Sequence, residues 1–326
     1  MKTRTVLLIL LAGLLWRGSP QTVPIRALDQ LVASARAGVY GNHPLHLFLA
    51  HGIGATSQDA YVSWGVLLLG LAYLVVWWLA RHRWGAMGGN QLFALFLASP
   101  IAYLLLQSIG LEDALAVLGV APLLLCRNPW LLGAAGIVGA FAHPSCLLAG
   151  GALLWLRYLA GEELDYRAGV GLLIGLVAVL LCFPGTLNSR WDYIFTQGLG
   201  RLLYHHLVYL PLALWSFGLA LWLPGVVAGR LLWRARPWYA GALGVYLLFS
   251  WAVTALMLDT TRVFVLLTWA PLLHGLLVAG ETADETYHDL LRLTARWGWL
   301  APALGIWSGE IRSNGWTAWL SWVGWP

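Results

Sequence analysis

The chain has 326 residues, of which 60% are hydrophobic and only 10% charged, with a formal charge of +5. A soluble domain carries about 25% charge, so that class is excluded. The basic residues stand singly between apolar runs and form no stripe, which excludes a nucleic-acid partner and makes the charge a matter of topology. Apolar runs near the ~20-residue length of a bilayer span recur along the chain. They predict an all-α, polytopic helical integral membrane protein of about 10–11 membrane segments in a single transmembrane domain, with the lipid bilayer as its main partner.

Lys2 and Arg4 precede an apolar core at 6–16, the pattern of a signal peptide or signal anchor. Arg17 follows directly and no small-residue cleavage site is present, so an uncleaved first span is expected. The stretch 18–60 is the longest polar segment and is expected outside, with short amphipathic helices such as 25–39 and the residues Asp29, Asp59, His43, His46 and His51. A span at 61–80 ends at Arg81-His82-Arg83, and Gly85-Ala86-Met87-Gly88-Gly89 reads as a cytoplasmic turn. The next span, 91–109, ends at Gly110-Leu111-Glu112-Asp113. Three short apolar pieces follow at 114–125, 130–142 and 146–156, divided by Cys126-Arg127-Asn128-Pro129 and His143-Pro144-Ser145. Each is short for a full crossing, so they read as half-spans lining a cavity or a thinned region.

Spans are then expected at 170–184, 207–227, 239–257 and 263–279. A polar outer segment at 188–206 holds Arg190, Asp192, Arg201, His205 and His206, and 281–296 reads as a charged cytoplasmic loop. A last span is expected to start at 297–307 and to leave the carboxyl terminus outside. In the tail 313–326, Trp316, Trp319, Trp322 and Trp325 recur every three residues, as an interfacial aromatic anchor or a sugar-stacking stripe would.

Orientation follows from charge. With the amino terminus cytoplasmic and about eleven crossings, twelve of the 19 Lys and Arg fall on inner loops: Lys2, Arg4, Arg81, Arg83, Arg127, Arg157, Arg167, Arg230, Arg234, Arg236, Arg292 and Arg296. This satisfies the positive-inside rule. A rival path dips 114–125 in and out and makes 130–156 one helix kinked at Pro144. It leaves the later spans unchanged.

This topology gathers Glu112, Asp113, His143, Arg190, Asp192, His205, His206, Asp259 and Arg262 at one face. Carboxylates there suit general-base work on a hydroxyl, and arginines offer a planar fork to phosphate. Asp259, Asp113 and His143 are the candidate catalytic residues; Arg262, Arg190, Asp192, Arg201, His205 and His206 are candidates for substrate binding. Plainer readings stand beside these. Polar groups collect at span ends in any case, Asp259 and Arg262 equally read as an ion pair closing a helical hairpin, and His143 as a helix-end cap. Glu162 and Glu163 read as solvated loop charges. The adjacent pair His205-His206 lacks a third ligand at suitable spacing, and Cys126, Cys146 and Cys182 have no metal-ligand spacing, so no metal or cofactor is expected.

Ala142-His143-Pro144-Ser145 and Asp259-Thr260-Thr261-Arg262-Val263 resemble elements of multispanning bacterial polysaccharide polymerases of the EpsG and Wzy type. The long first outer loop is also similar in layout to GT-C glycosyltransferases, although its Asp29 and Asp59 are isolated where many of those enzymes carry paired acids. The resemblance implies a polyprenyl-linked sugar donor, transfer at the periplasmic face of the inner (plasma) membrane, and other polysaccharide-assembly proteins as partners. The expected function is therefore a membrane glycosyltransferase or polysaccharide polymerase. A transporter or flippase for a lipid-linked or amphipathic substrate, or a non-catalytic assembly subunit, is the alternative, and a transporter should show a repeat between halves.

Overall fold

A computed structural model describes residues 1–16, 25–39, 44–163, 166–182, 194–257, 259–301, 304–307 and 310–313. The architecture is helical apart from one short hairpin, and four helical segments are long and apolar enough to cross a membrane: Gln58–Ala98, Leu210–Ala235, Pro237–Ala255 and Thr260–Gly280. Their outward apolar side chains, such as Leu67, Leu74, Val245 and Leu248, are exposed in numbers no water-soluble surface carries. This is a multi-pass membrane protein.

Helix α1 (Thr3–Trp16) lies against α4 (Gln58–Ala98). Between them α2 (Ile25–Ala37) and α3 (Pro44–Gly52) build a small separate core of Leu28, Leu31, Val32, Leu47 and Tyr61, as the amphipathic pattern of the first polar segment predicts. Gly85, at φ 70°, breaks α4 into a hairpin. The arms touch so closely that a Cβ on Gly89 would sit 2.4 Å from Arg81 Cα, and Trp77 donates to Asn90 across the turn. Asn90 also donates to the Met1 carbonyl, which puts the amino terminus at the same end as this turn.

After α5 (Pro100–Gln107), the short pieces become α6 (Asp113–Leu125), α7 (Pro129–Ala142) and α8 (Ser145–Leu159), followed by α9 (Tyr166–Cys182). They are full helices that reverse at each loop. Gly119 of α6 meets Gly139 of α7, so those two run antiparallel, whereas Cys146 meets Ala116 and Gly150 meets Leu123, so α8 runs with α6. A single kinked helix over 130–156 is thereby ruled out. Glycine allows the close spacing: a Cβ on Gly171 would lie 2.1 Å from the Gly133 carbonyl oxygen.

The expected span 207–227 is broken and displaced into α10 (Leu199–Val208), α11 (Leu210–Gly218), a 3-10 turn and α12 (Trp222–Ala235). Leu219 takes φ 45° at the break, a conformation that strains a branched side chain. Helices α13 (Pro237–Ala255) and α14 (Thr260–Gly280) follow as expected. Helix α14 is central, with nearly all its side chains buried, including Arg262 and His274.

Two expectations fail here. The segment 281–296 is no simple loop, because α15 (Glu285–Trp297) is an amphipathic helix capped by Asp284, with Tyr287, Leu291 and Ala295 buried. Among the described residues no helix continues past Trp297: a 3-10 turn at Gly298–Leu300 is followed by strands β1 (Leu304–Trp307) and β2 (Glu310–Ser313), paired antiparallel. The last span expected to start here is thus not seen among the described residues, and the aromatic repeat at 316–325 lies outside them.

Candidate functional site

The turn between α5 and α6 sets the site. Gly110 takes φ 102°, Tyr61 donates to its carbonyl at 3.1 Å, and a Cβ on Gly65 would stand 2.9 Å from its nitrogen. Pressed in this way against α4, the turn delivers Glu112 and Asp113 side by side at the start of α6, where the helix dipole favours negative charge.

Arg262, in the first turn of α14, closes on both. Its Nε donates to the two Asp113 oxygens at 3.0 Å each, and its Nη2 donates to Asp113 Oδ1 at 2.8 Å and Glu112 Oε1 at 2.7 Å. Both carboxylates are sealed from solvent. The guanidinium hydrogen-bonds both groups and balances one negative charge between them, which is what makes their burial tolerable.

His143 ends α7, and its Nδ1 accepts from the Ser145 backbone N–H at 3.1 Å, with Ser145 Oγ at 2.6 Å. A ring nitrogen that accepts there leaves the proton on Nε2, which points at Glu112 Oε1 from 3.6 Å. Asp259 is the most open member, its side chain 30% exposed, and its Oδ2 is 3.9 Å from Arg262 Nη1, too long for a hydrogen bond. The guanidinium's bonds to carboxylates thus go across to α6, and the expected local pair of Asp259 and Arg262 is secondary. Close by in sequence, Gln107 is buried, and neither its amide nitrogen nor its oxygen has a hydrogen-bond partner among the described residues.

The structure therefore brings together Asp113, His143, Arg262 and Asp259, and adds Glu112, which is fully buried. The other candidates stand apart. Arg201 is exposed on α10, His205 packs on Tyr209 with ring centres 4.7 Å apart, and buried His206 packs on Trp251 at 5.9 Å. Arg190 and Asp192 lie outside the described residues. No group of three or more His, Cys, Asp or Glu suited to a metal occurs among the described residues.

No family model, curated protein or solved structure matches this chain. The site's meaning rests on its own geometry.

Two further features frame it. An apolar groove of about 560 Å³ runs along α11 to α14, past Phe217, Trp251, Phe264 and Leu276. Phe264 is two residues beyond Arg262, which on a helix turns it to the opposite face, so α14 separates the groove from the carboxylates.

At the far end of the same helices lies a second polar layer. Glu162 Oε2 accepts from Arg157 Nε at 3.0 Å and Nη2 at 2.8 Å, and Arg83 approaches at 3.4 Å. His274 Nε2 stands 3.2 Å from Glu162 Oε1, and its Nδ1 is 2.7 Å from the Tyr239 hydroxyl. Burial alone would raise the Glu162 carboxyl, but the His274 hydrogen bond and the charges of Arg157 and Arg83 outweigh it and pull it down to about 2. Glu162 is thus no solvated loop charge. Arg262 and His274 on α14, and Ser145 and Arg157 on α8, are each twelve residues apart. At ~1.5 Å per residue the two polar layers are about 18 Å apart.

Proposed function

We propose that this chain is a membrane glycosyltransferase or polysaccharide polymerase that takes sugar from a polyprenyl-phosphate-linked donor. The observation that carries this reading is the partly exposed Asp259 carboxylate, 3.9 Å from Arg262 Nη1, beside a carboxylate pair that holds the guanidinium rigid. A semi-exposed base beside a fixed phosphate-binding donor is what transfer from a sugar phosphate requires. The Asp259 carboxylate takes the proton of the acceptor hydroxyl as its oxygen forms a bond to the anomeric carbon. The carbon–oxygen bond to phosphate breaks, and the lipid phosphate leaves against Arg262. Glu112, Asp113 and His143 position Arg262, and the Gln107 amide supplies a donor and an acceptor for a sugar hydroxyl. The polyprenyl chain lies in the apolar groove, its head reaching the site around the start of α14.

The charge distribution supports an inner-membrane chain with the amino terminus cytoplasmic and this site at the periplasmic face. Two polar layers about 18 Å apart, against ~30 Å of hydrocarbon, favour a locally thinned bilayer that lets a lipid head reach the site. The test is transfer from polyprenyl-phosphate-linked hexoses by purified protein in vesicles. Asp259→Asn is expected to retain folding and lose at least about 100-fold in rate. Unchanged transfer by a folded variant removes the assignment.

A further inference from the structure

The far polar layer lines two adjoining cavities of about 680 and 530 Å³, which share Arg127 and Glu162 in their walls. Their charges do not balance. Arg157 is fully committed, with Nη1 donating to the Leu123 carbonyl at 2.6 Å and its other nitrogens to Glu162. Arg83 gives Nη1 to the Leu124 carbonyl at 2.8 Å and stands near enough to Arg127 and Arg157 to be repelled by both. Glu281 is drawn off by Arg236 at 2.9 Å. Arg127 is exposed to both cavities and makes no hydrogen bond or ion pair with any described residue. Arg167 enters the smaller cavity with its guanidinium over the Trp130 ring at 4.8 Å, opposite exposed Glu163. Arginines thus crowd around Glu162, and the larger cavity also presents Trp78, Trp84 and Leu277.

We propose that these cavities bind a phosphate ester whose oxygens are gripped by Arg127 and Arg83, with Arg167 at the neighbouring wall. The guanidinium fork matches phosphate geometry, and basic pockets between membrane helices are suited to phosphorylated headgroups. The aromatic and aliphatic wall accommodates the apolar part of an amphiphile. The cavity reaches His274, well inside the end of α14, so a headgroup enters it from the membrane surface. This site is separate from the carboxylate–arginine cluster and does not depend on the transferase reading.

The test uses full-length protein in nanodiscs. Binding of spin-labelled phosphatidylglycerol is measured against phosphatidylcholine, and binding of radiolabelled inorganic phosphate is measured separately. Saturable phosphatidylglycerol binding is expected, reduced at least tenfold by Arg127→Gln and no more than about twofold by Arg4→Gln, an exposed cation at the same end. Arg127 bonds to no described residue, so its replacement leaves folding intact, checked by an unchanged thermal midpoint. Saturation by inorganic phosphate alone, weakened by Arg127→Gln, upholds the phosphate site and assigns it a soluble ligand. Equal effects of the two substitutions, or saturation by neither probe, overturn the proposal.

Discussion

Replacing Arg262 with methionine tests the packing of the carboxylate cluster. The guanidinium is the donor in four hydrogen bonds to Asp113 and Glu112, both of them sealed from solvent. Without it, two neighbouring carboxylates remain buried and unneutralised, and breaking such a set typically costs ~3–5 kcal/mol. With an unfolding entropy of ~2.1 cal/mol/K per residue over 326 residues, the apparent midpoint falls by about 4–7 °C. Thermal unfolding in mild detergent, followed by tryptophan fluorescence, measures it. The triple variant Arg262→Met, Glu112→Gln, Asp113→Asn removes the charges together and should recover at least half the loss, because the penalty lies in the stranded carboxylates. Arg262→Met as stable as the parent, or a triple variant no better than the single one, would refute the reasoning.

Other outcomes follow from the same geometry. Gly171→Ala drives a Cβ to 2.1 Å from the Gly133 carbonyl oxygen and should cost ~1–3 kcal/mol or more by overpacking, whereas Gly151→Ala, with open space around it, should be neutral or stabilising by up to ~1 kcal/mol; their thermal midpoints compare the two directly. The Glu162 carboxyl is depressed in the fold, so its contribution is complete above the ordinary value of 4.5 and is lost as pH falls toward about 2. Midpoints measured from pH 7 downward should therefore diverge between parent and Glu162→Gln in slope only below about 4.5, and parallel curves in that range would contradict the network. His143→Ala should lower transfer and also cost ~1–3 kcal/mol, since it strands the buried Ser145 N–H that its ring nitrogen accepts at 3.1 Å; a folded variant with a rate equal to the parent's would remove it from the site.

Helices were the most legible part of the sequence, because apolar length and the breaks at Gly85, Pro129 and Pro144 carry the information locally. The short pieces at 114–156 were readable as pieces, but their reversal depends on glycine contacts such as Gly119 with Gly139, which link distant residues. The segment 297–307 misled because tryptophan and leucine raise its hydropathy, while Gly298, Pro302 and Gly305 are the helix-breaking signals within it. Asp113, His143, Asp259 and Arg262 were recognisable only as members of a larger group of span-end residues that also held Arg201, His205 and His206, since charge in or beside an apolar run is rarely idle. Glu112 was recognisable as polar but not as buried, because its partner is 150 residues away. Separation in sequence also hid much of the Glu162 network: His274 lies 112 residues from Glu162, and the visible hints were a lone histidine inside α14 and an arginine in the last turn of α8.

The transferase account is tested most directly in sealed vesicles of known orientation, by following radiolabelled sugar from a polyprenyl phosphate donor into acceptor and into the lumen at once. It predicts transfer on the face bearing Asp259 and Arg262, abolished by Asp259→Asn, with no donor crossing the bilayer. Donor movement across the membrane without transfer, equally fast in the Asp259→Asn protein, would contradict it.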